Sequence, residues 1–123
     1  MKALISLLIS VMCGSAAADA LVPIYEAVLL KNGKVAARER VSGSYGTPVS
    51  LSLPESVQVE VVAELPASSG MSKTNLRIWR AGAGPRTLVK QMSAEMDLRQ
   101  TPSFEYQIPN SELKVLVKPR SSR

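Results

Sequence analysis

The sequence predicts an all-β chain: a small antiparallel β-sandwich or partly open barrel of about 7–9 short strands, preceded by a cleaved signal peptide. Three observations carry this. Apolar and polar residues alternate with a period of two from residue 24 onward. Turn-forming residues recur about every 8–12 positions, the spacing of sandwich and barrel strands. No eleven-residue window shows the apolar stripe of an amphipathic helix. The chain has 123 residues, 46% apolar and 20% charged. That suits one domain with one core, and it is too apolar for a disordered tail.

The opening segment predicts a secretory leader over residues 1–20. Lys2 supplies the positive end, Ala3 to Val11 the apolar run, and Ala16 to Ala20 an A-x-A cleavage site. An apolar run this short cannot span a bilayer, which takes about 20 residues. Cys13 falls inside the leader and follows Met12 rather than the small residues a lipid-attachment site needs. A mature chain from Leu21 then has no cysteine and must be held by its core without disulfides. These features point to export, to a bacterial periplasm or exterior.

The strands follow in order. Ile24–Leu30 and Val35–Val41 flank Asn32-Gly33, and Asn-Gly between two alternating runs is the strongest short hairpin signal, since both central residues of a type I′ turn need positive φ. After a Gly43–Pro48 loop, Val49, Leu51 and Leu53 line one face of a third strand, which Pro54-Glu55 ends. Val57, Val59, Val61, Ala63 and Leu65 line a fourth. Pro66–Ser72 reads as a flexible connection, Asn75–Arg80 as a fifth strand, and Ala81–Pro85 as a turn. Thr87–Met92 and Glu95–Arg99 read as further strands, with a helical turn over Ser93–Leu98 as the alternative. Phe104–Ile108 and Leu113–Val117 complete the set, closed by Pro109 and Pro119. The domain is therefore placed at 21–119, with a disordered basic tail at 120–123. The expected core is Val49, Leu51, Leu53, Val57, Val59, Val61, Phe104, Tyr106, Val115 and Val117.

Composition excludes much chemistry. Histidine is absent and the single cysteine is Cys13. No Ser-His-Asp or Cys-His nucleophile can be assembled, and no His- or Cys-ligated metal is expected in the mature chain. No cofactor is implied either: Gly82-Ala83-Gly84 carries only a Gly-x-Gly and leads into a strand rather than a helix. Glu95 and Asp97 share a strand face, but Arg99 continues that face, so local charge pairing accounts for them. A two-residue hairpin loop would set Glu26 opposite Glu39, a destabilising pairing; a three-residue bulged loop would instead pair Glu26 with Arg38 or Arg40.

What remains points to binding. Lys and Arg exceed Asp and Glu by 15 − 10, a net charge of +5. This charge favours anionic surfaces and polymers, while export argues against a specific nucleic acid. On the fifth strand Leu76 and Ile78 share one face and leave Arg77 and Trp79 on the other. Indole and guanidinium groups are typical interface anchors. The expected partner-binding residues are thus Arg77, Trp79, Arg80 and Arg86, and the expected function is an exported binding or accessory module without catalysis. The alternatives are a structural subunit completing a partner's sheet and, further off, a carboxylate-dependent hydrolase.

Overall fold

A computed structural model describes residues 22–82 and 84–122. The expected leader, with Cys13, lies outside the described residues. Eight strands form: β1 (Pro23–Lys31), β2 (Lys34–Ser42), β3 (Val49–Leu53), β4 (Val57–Ala63), β5 (Met71–Arg80), β6 (Thr87–Asp97), β7 (Phe104–Gln107) and β8 (Leu113–Ser121). They make two four-stranded antiparallel sheets, ordered β2-β1-β8-β7 and β3-β4-β5-β6. The sheets pack face to face as a small β-sandwich.

The core is the inward row of each strand. Tyr25, Ala27 and Leu29 of β1 and Val115 and Val117 of β8 meet Leu51, Leu53, Val57, Val59, Val61, Leu76 and Ile78 from the second sheet. Alternation produces this directly, because every second side chain of a strand points to the same side. Tyr25 also links the sheets by a polar contact: its hydroxyl accepts a hydrogen bond from the Ala63 N–H at 2.9 Å. Burial pushes the Tyr25 hydroxyl above its ordinary pKa of 10.0, with the Ala63 N–H opposing and nearby Tyr45 adding to the rise.

Several expectations are corrected. Thr87–Met92 and Glu95–Asp97 belong to one continuous strand, β6, which no helical turn interrupts and which ends before Leu98 and Arg99. Its partner β5 is ten residues long and holds it in register from Met71 opposite Asp97 onward, a tertiary constraint that overrides the helix-compatible sequence SAEMDL. β5 begins at Met71, inside the segment expected to be a loop; Ser72 is buried there and donates to the Glu64 carbonyl at 2.6 Å. Val49 and Tyr106 are half-buried and pack against the margin of the core, whereas Leu51, Leu53 and Phe104 on the same edge strands are buried. β8 runs past Pro119 to Ser121. The missing N–H of Pro119 is tolerated because β7 pairs with β8 only from Lys114 to Val117.

The Glu26–Glu39 opposition does not form. Lys31 and Leu30 pair with Lys34 and Val35 as a tight Asn32-Gly33 turn requires, with φ of +54° and +79° at the two turn residues. A register shift then leaves Ala36 unpaired, so Leu29 faces Ala37 and Glu26 faces Arg40. Glu26 Oε2 lies 3.3 Å from Arg38 Nε. The loop keeps two residues and the bulge falls within the strand, not in the three-residue loop of the alternative register; it still exchanges a repulsion for an attraction.

Candidate functional site

Trp79 stands on the outer face of the second sheet. β5 is buried on its other side through Leu76 and Ile78, and strand alternation therefore turns Arg77 and Trp79 outward. A second register shift, between Ile78 and Trp79, leaves Val89 unpaired and sets Trp79 between Gln58 of β4 and Leu88 of β6. Leu88 is 40% exposed. Arg86, just before β6, lies over the indole with its guanidinium carbon 4.2 Å from the ring centroid. Its Nη1 donates to the Gln58 side-chain oxygen, so the cation is fixed against the ring from two directions. The Trp79 Nε1 is buried and has no hydrogen-bond partner among the described residues.

Of the four expected partner-binding residues, the structure brings two together closely, Trp79 and Arg86. The cation over Trp79 is Arg86, reached through the hairpin, and not its strand neighbour Arg77. Arg77 lies one register row along, next to Glu60 at 3.6 Å. With Pro48, Val62, Asn75 and Gln91, these two line a shallow depression of about 300 Å³. Arg80 is separated from the group: it pairs with Val57 and Thr87 and continues the inward row of Leu76 and Ile78 at the end of the sandwich. Leu88, Gln58 and Glu60 join the face although sequence reading did not single them out. Their placement depends on which strands neighbour β5 and on the bulge, neither of which leaves a local signature.

The outer face of the first sheet differs in charge. Arg40, Glu26 and Lys118 form one register row across β2, β1 and β8, and Arg120 lies one row away. Together with Thr101 they border a cleft of about 350 Å³.

The remaining candidates have local partners. Asp97 accepts from Arg99 Nε and Nη2, both at 2.9 Å, and that side-chain pair is the main reason its carboxyl sits below the ordinary 3.8. Arg99 Nη2 also donates to the Ser69 carbonyl at 2.6 Å, tying the end of β6 to the 64–70 loop. Contrary to the expectation that no Ser-x-x-Lys spacing occurs, one falls at Ser111–Lys114. There Ser111 Oγ donates to the Ile108 carbonyl at 2.8 Å and accepts from the Leu113 N–H, while Lys114 Nζ bonds Glu105 at 2.8 Å. Serine and lysine are thus each engaged with other groups, in a turn and in a cross-strand ion pair. Among the described residues no group of three or more acidic residues is placed to hold a metal ion.

No protein-family model, curated protein sequence or solved structure matches this chain.

Proposed function

We propose that the chain is an exported, non-catalytic binding module of a bacterial cell envelope, periplasmic or secreted, which holds a protein partner on the outer face of its second sheet. The observation that carries this reading is Trp79 clamped beneath Arg86 and flanked by exposed Leu88. An aromatic anchor, an apolar neighbour and a planar cation held in place lose little conformational freedom on association. The charge on this face supports a protein rather than a polyanion. Arg77 is matched by Glu60, and Lys73 stands in register with Glu95. Attraction to an anionic surface or polymer fits the first sheet instead, where Arg40, Lys118 and Arg120 surround Glu26.

Trp79 is the only tryptophan, so its fluorescence reports this face directly. Arg86→Ala should shift the emission to the red and raise quenching by acrylamide, a neutral probe that the change of charge does not attract or repel. Trp79→Ala should cost about 1–2 kcal/mol, below the 3–5 typical of a fully buried aromatic. Capture of envelope proteins by the intact chain should then be lost with Trp79→Ala and with Arg86→Ala, while Arg40→Ala retains it. Equal capture by all of these variants, at equal folded fraction, would sink the proposal.

A further inference from the structure

The two sheets present four edge strands, and three of them carry a protection against pairing. β2 has the Ala36 bulge and the charged run Arg38-Glu39-Arg40. β3 has five residues and β7 only four. Bulges, charges and shortness are the usual means of blunting an edge. β6 is different. It is eleven residues long, and no described strand pairs with its far side. Its bulge is confined to the first half, where Val89 is unpaired and Lys90 reaches over the Tyr106 ring at 5.7 Å.

The second half, Gln91–Asp97, is regular. Met92, Ala94 and Met96 pair with buried Leu76, Thr74 and Ser72 and so form its inward row, yet all three are only half-buried. An apolar row packed on the core and still partly open at an edge is a strand position awaiting a neighbour.

We propose that this neighbour is the same strand of a second copy, paired antiparallel about a two-fold axis through Ala94. The segment Gln-Met-Ser-Ala-Glu-Met-Asp is its own complement in that register. Met92 faces Met96 of the partner subunit, and Ala94 faces Ala94 of the partner subunit. Ser93 faces Glu95 of the partner subunit, and Gln91 faces Asp97 of the partner subunit. Apolar side chains meet apolar ones on the inner side, and no two like charges are opposed on the outer side. The pairing ends naturally. The chain turns after Asp97, whose carbonyl accepts from the Gln100 N–H at 3.0 Å. Shifting the axis to Ser93 would put Lys90 against Met96 on the inner side, a poorer match. Registers that pair inward with outward residues are excluded by the pleat.

An isologous contact of this kind is closed and joins the second sheets of two copies into one continuous sheet. Both Trp79 faces then lie on the same side of it. The inference goes beyond the binding reading and does not depend on it.

Sedimentation equilibrium of the full chain should show a concentration-dependent dimer. Ser93→Glu, which sets a new carboxylate against Glu95 of the partner subunit twice per dimer, should weaken it about tenfold, from cross-strand charge energies. Ser93→Lys should tighten it by a similar factor, and Ser93→Glu combined with Glu95→Lys should restore it. Ser93 is exposed, so these changes leave the core intact. In a Cys13→Ser background, Ala94→Cys should cross-link to its own copy under mild oxidation, because paired positions lie within disulfide reach. Ser50→Cys on edge strand β3 should not. A monomer at millimolar concentration, insensitivity to the charge at position 93, or faster cross-linking through Ser93→Cys than through Ala94→Cys would overturn the proposal.

Discussion

The molecule uses the same device twice with different results. The β1–β2 and β5–β6 hairpins each take up one extra residue, Ala36 in the first and Val89 in the second. In the first hairpin the shift settles an electrostatic conflict. It moves Glu26 from Glu39 to Arg40 and leaves β2 a charged, well-protected edge. In the second it builds a surface: it sets Leu88 rather than Val89 beside Trp79, with Arg86 over the ring. A bulge re-aims every outward side chain beyond it while the inward row on the partner strand keeps its place. Leu29 and Ile78 adjoin the two irregularities and are both fully buried. The difference therefore lies in what the outer face carries, not in how well the core beneath is packed.

The comparison is tested most severely at those two residues. Leu29→Ala and Ile78→Ala should each cost about 2–5 kcal/mol, because both leave a void in a core that cannot fully collapse. Chemical denaturation of the two variants checks this. A loss under about 1 kcal/mol at Ile78 alone would mean that the second bulge loosens the core as well as re-aiming the face.

A smaller effect is expected at the first turn. Gly33 has a φ of +79° with open space around the position of a Cβ, so Gly33→Ala is opposed by backbone conformation alone. The cost should be about 1–2 kcal/mol. Gly82, in the second hairpin's loop, also has open space but no positive φ, and Gly82→Ala should be close to neutral. Thermal melts of both variants provide the contrast.

The smallest effects are those of pH, and they separate the two hairpins by sign. Tyr25 of β1 has its pKa raised by burial, so its contribution is complete below pH 10.0 and is lost as pH rises through the folded value. Asp97 at the end of β6 has its pKa lowered by Arg99, so its contribution is complete above pH 3.8 and is lost as pH falls. Tyr25→Phe should flatten the alkaline limb of the stability profile, and Asp97→Asn the acid limb. Because Arg99, the partner of Asp97, is solvent-exposed, the acid effect should be the weaker of the two.

Much of this was legible in the residues themselves. Alternation of Val57, Val59 and Val61, and of Val115 and Val117, identifies strands and their buried faces, because burial on one side of a pleat demands a period of two. Asn32-Gly33 identifies a tight turn because few residue pairs tolerate positive φ twice. Leu76 and Ile78 on one face place Trp79 on the other. These are local matters, settled by neighbours within a few residues. Three things were decided only by tertiary structure. The bulges at Ala36 and Val89 fall on edge strands, whose register is fixed by pairing with a distant stretch of chain. β6 stays extended through SAEMDL because β5 holds it there. Trp79 meets Arg86 rather than Arg77 because a hairpin brings residues together that strand spacing keeps apart. Arg80 is a different case: alternation from Leu76 and Ile78 already turns it to the opposite side of the sheet from Trp79, so its separation was legible in the sequence. In the other three cases the deciding contact joins residues whose separation along the chain carries no pattern, and only the folded sandwich brings them within range.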